Sequence, residues 1–169
     1  MIDNDTIDVG EADGFVWVRV KVKGTFAASP QMKSYVEGRM AEGETRFVID
    51  LEQCPAMDST FMGTLAGIAM RLSKKANGQL QLAGVSARNQ QSIEDLGLDA
   101  LMAVNPDGAE WSSHLSEVRG DLQPLENGKE ESDAGHVLEA HRLLCEANES
   151  NMEKFATVLD VLEKELGDE

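Results

Sequence analysis

Valines stand at every second position from Val16 to Val22, with Phe15, Trp17, Arg19 and Lys21 between them. That period of two belongs to a strand with one buried face, and Gly24 marks its end. After Ser29-Pro30 the period changes: Met32, Tyr35, Val36 and Met40 fall at helical spacing within Gln31 to Ala41. Proline suits the first turn of such a helix, where its missing N–H would have no partner anyway. Phe47 to Leu51 has the length and apolarity of a buried strand. Beyond it, Phe61, Leu65, Ile68, Ala69 and Leu72 make the stripe of a second helix that ends near Asn77-Gly78. Leu80 and Leu82 predict another strand. Ser86 can cap a third helix through Ile93 and Leu96, Gly97 stops it, and a short strand follows around Leu101 to Val104.

Strands that alternate with single helices imply an α/β domain with a largely parallel sheet and right-handed crossovers, with some antiparallel pairing near the N-terminus. The pattern dissolves from Asn105 to Gly135 into Pro106-Asp107-Gly108, Gly120-Asp121, Pro124 and Gly128-Lys129-Glu130-Glu131, which is linker chemistry. The expected organisation is a tail at residues 1–9, a domain at 10–106, a linker at 107–129 and an acidic helical extension at 130–169. In that extension Ala134, Leu138, His141, Cys145, Asn148, Met152, Phe155, Leu159, Leu162 and Leu166 recur alternately every four and three residues, a heptad register. Two inner positions are polar, and Ser150 with Glu153 forms a capping box that can start a new helix. A helical hairpin and one continuous coiled-coil helix are both open; the break favours two helices. The apolar seam has to be buried, either by folding back on the sheet domain or by pairing with a second copy as a homodimer through residues 134–166.

Charge narrows the partners. With 31 acidic against 15 basic residues the net charge is -16, which opposes nucleic acid and anionic membrane surfaces and favours a protein partner with a basic patch. Met1 to Asp5 has no basic region or apolar signal core, and no apolar run approaches the ~18 residues of a membrane span, so a cytoplasmic location is expected. Cys54 and Cys145 are far apart with no C-x-x-C spacing and read as plain thiols.

The segment Arg46 to Leu51, then Cys54-Pro55-Ala56-Met57-Asp58-Ser59-Thr60, then Phe61 to Leu72, is a strand, a loop and a helix that opens on an acid and two hydroxyls. A serine in the first turn of a helix is within reach of a kinase, and a phosphate there adds a charge of roughly −1.5 to −2. Either Asp58 or Ser59 can also serve as an ordinary N-cap, worth about 1 kcal/mol. Across residues 10 to 104 the chain resembles the STAS domains, the family of bacterial anti-sigma factor antagonists. The resemblance is carried by Gly24-Thr25-Phe26, Phe47-Val48-Ile49-Asp50-Leu51, Met57-Asp58-Ser59-Thr60, Gly78-Gln79-Leu80-Gln81-Leu82 and Ser86 through Gly97-Leu98. It implies a mixed sheet of four or five strands with helices mainly on one face. It also implies a regulatory hydroxyl directly after Asp58: Ser59, with Thr60 second. Asp58, Ser59, Thr60, Phe61 and Met62 then become the partner-binding segment, and an anti-sigma factor or serine kinase becomes the partner. Family members commonly carry glycine after the hydroxyl pair, where this chain has Phe61 and keeps glycine at Gly63. Phe61 is either an exposed anchor or a buried first-turn residue.

Other chemistries find little support. His141 and Cys145 share a helix face, but two ligands without a second pair do not make a metal site, and His114 and His136 supply no ligand spacing. Ser59 lacks a G-x-S-x-G context, and neither G-x-x-x-x-G-K-[ST] nor G-x-G-x-x-G occurs, so the chain is expected to be no enzyme and to need no cofactor. The rivals to a phosphorylated antagonist are a scaffold or transporter-associated subunit that works by docking alone, and a structural oligomer assembled through the C-terminal helices.

Overall fold

The structure, a computed structural model, describes residues 6–125 and 133–167. Met1 to Asp5, the Gly128–Glu131 stretch and the expected start of the extension at residue 130 lie outside the described residues. Strand β1 (Ile7–Ala12) and strand β2 (Phe15–Val20) form an antiparallel hairpin. Asp13 and Gly14 join them at φ of 56° and 80°, the left-handed pair that a tight turn between twisted strands requires. Strands β3 (Arg46–Asp50), β4 (Gln79–Ala83) and β5 (Ala103–Val104) continue from β2 in parallel. Helices α1 (Ser29–Ala41), α2 (Ser59–Ser73) and α3 (Ala87–Asp95) make the crossovers. After helix α4 (Leu115–Asp121), strand β6 (Gln123–Pro124) pairs with the free edge of β1, so the six-stranded order is β5-β4-β3-β2-β1-β6. The sheet is mixed as expected but wider by one strand, and it starts at Ile7, inside the stretch assigned to a tail.

The alternation in β2 sorts its side chains between two cores. Val16, Val18 and Val20 join Phe47, Ile49 and Leu82 beneath Met32, Val36, Phe61, Leu65, Leu72 and Ile93. On the opposite face Phe15, Trp17, Val48 and Ala83 pack against Trp111, Val118 and Leu122, with the Trp17 and Trp111 rings edge to face at 5.4 Å. Residues 107–125 are therefore no linker. They are the layer that covers the second apolar face of the sheet, which would otherwise expose two tryptophan-sized surfaces to water. An ion pair locks this layer down: Asp50, fully buried, accepts from Arg119 Nε at 2.7 Å and Nη2 at 3.1 Å and from the Glu52 amide at 3.1 Å.

The extension is two helices, α5 (Ala134–Ala147) and α6 (Ser150–Gly167). The turn between them is made by Asn148, whose Oδ1 accepts from the Ser150 amide at 3.0 Å and from the Ser150 hydroxyl at 2.7 Å. Ser150 is thus a donor to Asn148, and the expected Ser150–Glu153 capping box is not what starts α6. The hairpin folds back on its own domain. Its tip is pinned by buried Asn151, which donates to the carbonyls of Leu96 (3.0 Å) and Leu144 (2.8 Å). No described helix is long and apolar enough to cross a membrane.

Candidate functional site: the Asp58–Ser59 turn

Asp58 is the N-cap of α2. Its backbone is extended (φ −93°, ψ 174°), and its Oδ1 accepts from the Phe61 amide at 2.8 Å. The other oxygen, Oδ2, accepts from the Phe26 amide at 2.8 Å. One carboxylate therefore ties the first turn of α2 to the Gly24-Thr25-Phe26 loop. The backbone repeats the tie, because Asp58 N donates to Gly24 O at 2.7 Å and Gly24 N to Ala56 O at 2.8 Å. Asp58→Ala should leave both amides without a partner and lower stability by about 2 kcal/mol. A urea titration reads this as a lower midpoint at unchanged slope; an unmoved midpoint would show that water replaces both bonds.

Ser59 is the first residue of α2, half-buried, and its hydroxyl lies 2.8 Å from His141 Nε2 on α5. The other ring nitrogen, Nδ1, is 2.8 Å from the Val137 carbonyl, which can only accept, so Nδ1 donates there. In the tautomer with its single proton on Nδ1, Nε2 accepts the Ser59 O–H. A second contact of the same kind stands one turn earlier on α5, where His136 Nε2 lies 2.8 Å from the hydroxyl of Ser29, the first residue of α1. Phe155 of α6 packs edge to face on His141 at 5.1 Å. His114 is elsewhere, paired with Asp13, so the three histidines serve separate contacts. Cys54 is buried and Cys145 half-buried, both as free thiols.

The rest of the expected partner-binding segment is not on the surface. Phe61 is wholly buried in the main core, Thr60 is 5% exposed and Met62 8%. Phe61 is the buried first-turn residue of the two alternatives, because its position on α2 points to the sheet with Leu65, Ile68 and Leu72. Thr60 is covered as a secondary phosphate acceptor, and Met62 is covered as a docking contact. What the sequence reading passed over is Phe26, 54% exposed with its amide held by Asp58 beside the Ser59 turn. An exposed aromatic on a loop whose backbone is fixed is a ready contact for another protein. His141 was also passed over as a site residue; its signal was a polar side chain at an inner heptad position, which needs a partner for its nitrogen.

Burial of His136, followed by the charge of Lys33 on α1, lowers the His136 pKa from its ordinary value; Glu139 and Asp133 on its own helix and Asp58 at the α2 cap oppose this. A histidine kept neutral in the folded state contributes stability that is present above its ordinary pKa of about 6.5 and is lost as pH falls toward the lowered value. The attachment of α5 should therefore loosen on acidification from pH 7.5 to pH 5. Amide exchange in α5, corrected for intrinsic rates, should speed up, and His136→Gln should flatten the response. Protection of α5 that rises as pH falls would contradict the assignment.

The model of the STAS domain family matches residues 6–111. No curated protein matches the chain. Among solved structures, it is similar to a protein of Thermotoga maritima described as a candidate anti-sigma factor antagonist, at 16% identity and a TM-score of 0.57, over 69% of this chain and 97% of that one. It is also similar to the anti-sigma factor antagonist SpoIIAA in its unphosphorylated form, at 20% identity and a TM-score of 0.50, over 68% of this chain and 98% of that one. At these identities the likeness speaks for the fold. The match over residues 6–111, which spans the mixed sheet and the capped turn ahead of α2, places the chain in the STAS domain family.

Proposed function

We propose that this chain is a cytoplasmic regulatory module that binds a kinase-type anti-sigma factor and is switched by phosphorylation of Ser59. It acts by docking and not by catalysis. The observation that carries the reading is the division of labour at the turn. Asp58 alone supplies the cap through its bonds to Phe61 and Phe26, so the Ser59 hydroxyl is not needed to cap α2; its one contact is with His141 on α5, which a phosphate would replace. A phosphate at this position sits at the N-terminus of a 15-residue helix, whose free amides and dipole favour an anion, so the fold tolerates the modified state. The cost falls on the interface instead. The similarity to anti-sigma factor antagonists supports a protein partner of that class. Ser59→Ala and Ser59→Asp, titrated against the anti-sigma factor captured from the chain's own cells, test the reading; equal affinities would count heavily against it.

A second reading, docking without phosphorylation, draws on the engagement of the Ser59 hydroxyl by His141. Incubation with ATP and the captured kinase, followed by intact mass, separates the two.

A further inference from the structure

Helix α2 is apolar or small on nearly every side: Thr60 through Ala69 are all buried. One side faces the sheet. The other presents Ser59, Gly63 and Gly67 at intervals of four residues, in line along the helix. Helix α5 lies on that line at backbone contact. A Cβ on Gly63 would stand 2.2 Å from the Ala140 carbonyl oxygen and 2.9 Å from Ala140 Cα, and one on Gly67 would meet Leu143 Cδ1 at 2.7 Å. At Gly63 the approach leaves no room for a side chain.

Polar contacts flank this line. Ser59–His141, Ser29–His136 and the Lys33–Glu139 pair at 3.3 Å hold the N-terminal half of α5. Between α1, α2 and α5 a cleft of about 380 Å³ stays open over Ile68 and Leu143. Among the hairpin's described side chains Leu144 belongs to the main buried core and Ala147 and Phe155 pack against it, while Leu138, Ala140, His141 and Asn151 are buried at the contact. The family match ends at residue 111, before the hairpin begins. The hairpin covers the turn that bears Ser59.

We infer that the Ser59–Gly63–Gly67 face of α2 is a helix-binding surface whose resident occupant is α5, so that the hairpin is an autoinhibitory cover and a protein partner gains the surface by displacing it. The inference rests on the reading that a partner docks at this turn. It specifies what that partner presents: an amphipathic helix with a small residue where Ala140 now sits, a leucine-sized residue toward Gly67, and an acceptor for the Ser59 hydroxyl in place of His141 Nε2. Because the tip stays tied through Asn151, the cover acts as a tethered competitor, with an effective concentration on the order of millimolar.

The test uses the full chain and needs neither kinase nor anti-sigma factor, so its outcome is separate from that of the phosphorylation reading. Gly63→Ala places a methyl against the α5 backbone. Amide exchange in α5 should accelerate by about tenfold or more while amides of β2 and β3 keep their wild-type rates. Acceleration of the sheet amides in step with α5 would overturn the inference, since the hairpin would then be an inseparable part of the core. In a second arm, a fluorescein-labelled synthetic peptide of residues 133–167 is titrated into wild-type chain and into His141→Asp, which loosens the resident helix. Saturable binding to the variant with at least tenfold weaker binding to wild type is expected. Equal binding to both, or binding to neither, would overturn it.

Discussion

Arg119→Ala should lower the stability of the whole domain by about 3 kcal/mol or more, although the residue lies in a stretch with the composition of a linker. The reason is the partner it leaves behind. Asp50 is fully buried in the middle of the sheet, and two of its contacts come from the Arg119 guanidinium at 2.7 Å and 3.1 Å. With Arg119 truncated, the carboxylate keeps the Glu52 amide and the more distant Arg19 Nε at 3.7 Å. Removing one member of a buried ion pair is costly chiefly because the other charge stays buried without compensation. Asp50 belongs to β3 and Arg119 to α4, so the loss should also unseat the Trp111, Val118 and Leu122 layer. A urea titration followed by tryptophan emission reads both, since Trp17 and Trp111 report on this layer. A true linker would lose nothing, and an unchanged midpoint would contradict the two-sided fold described above.

The second large effect is expected at the interface. Phosphate on Ser59 adds a charge of roughly −1.5 to −2 to the proposed docking surface. Set against one acidic group of a docked partner at about 4 Å, with an effective dielectric near 20, each unit of that charge costs on the order of 4 kcal/mol, and every 1.4 kcal/mol is tenfold in affinity. One unit of that charge is already worth about a thousandfold, so phosphorylated chain should bind the proposed anti-sigma factor at least about a thousandfold more weakly than unmodified chain, with Ser59→Asp showing a smaller loss in the same direction. Ser59→Ala should retain binding. A loss for Ser59→Ala equal to that for Ser59→Asp would mean that the hydroxyl, not the charge, carries the contact.

The elements with a clean period were legible from the residues. Val16, Val18 and Val20 announced a strand with one buried face, the Phe61–Leu72 stripe announced α2, and Ser86 caps α3 by accepting from the Asn89 amide at 3.1 Å. Three parts were not legible, each for a physical reason. β1 offers only Ile7 and Val9 in alternation, and its identity comes from the Asp13-Gly14 turn that pairs it with β2. The 107–125 layer carries a helical stripe, Trp111, Leu115, Val118 and Leu122, but it is short and set among glycine, proline and charged residues that read as a linker. Its burial depends on the apolar second face of the sheet. The docking of α5 on α2 was hidden by ambiguity in the heptad, which serves a seam between copies as well as a helix folded back on its own domain. The signal that favoured folding back was in α2. Between Phe61 and Leu72 the only charged residue is Arg71, and a helix apolar on all sides has to be covered on all sides.

At the site itself, Asp58 and Ser59 occupy the cap and first position that the residues implied, while Thr60, Phe61 and Met62 are buried. Chemistry types left the cap open between Asp58 and Ser59, and the structure gives it to Asp58. They did not tell which of the five faces outward, because that depends on α5, a helix more than seventy residues away in sequence.

The central claim is that Ser59 is the residue whose charge controls docking. It is tested most directly by incubating the full chain with ATP and the anti-sigma kinase captured from its own cells, then mapping phosphate by mass spectrometry. The account predicts a single phosphate on the peptide containing Ser59, absent in Ser59→Ala, and release of the kinase as it appears. A phosphate that maps to another residue, or a kinase that binds and hydrolyses ATP while Ser59 stays unmodified, would contradict it.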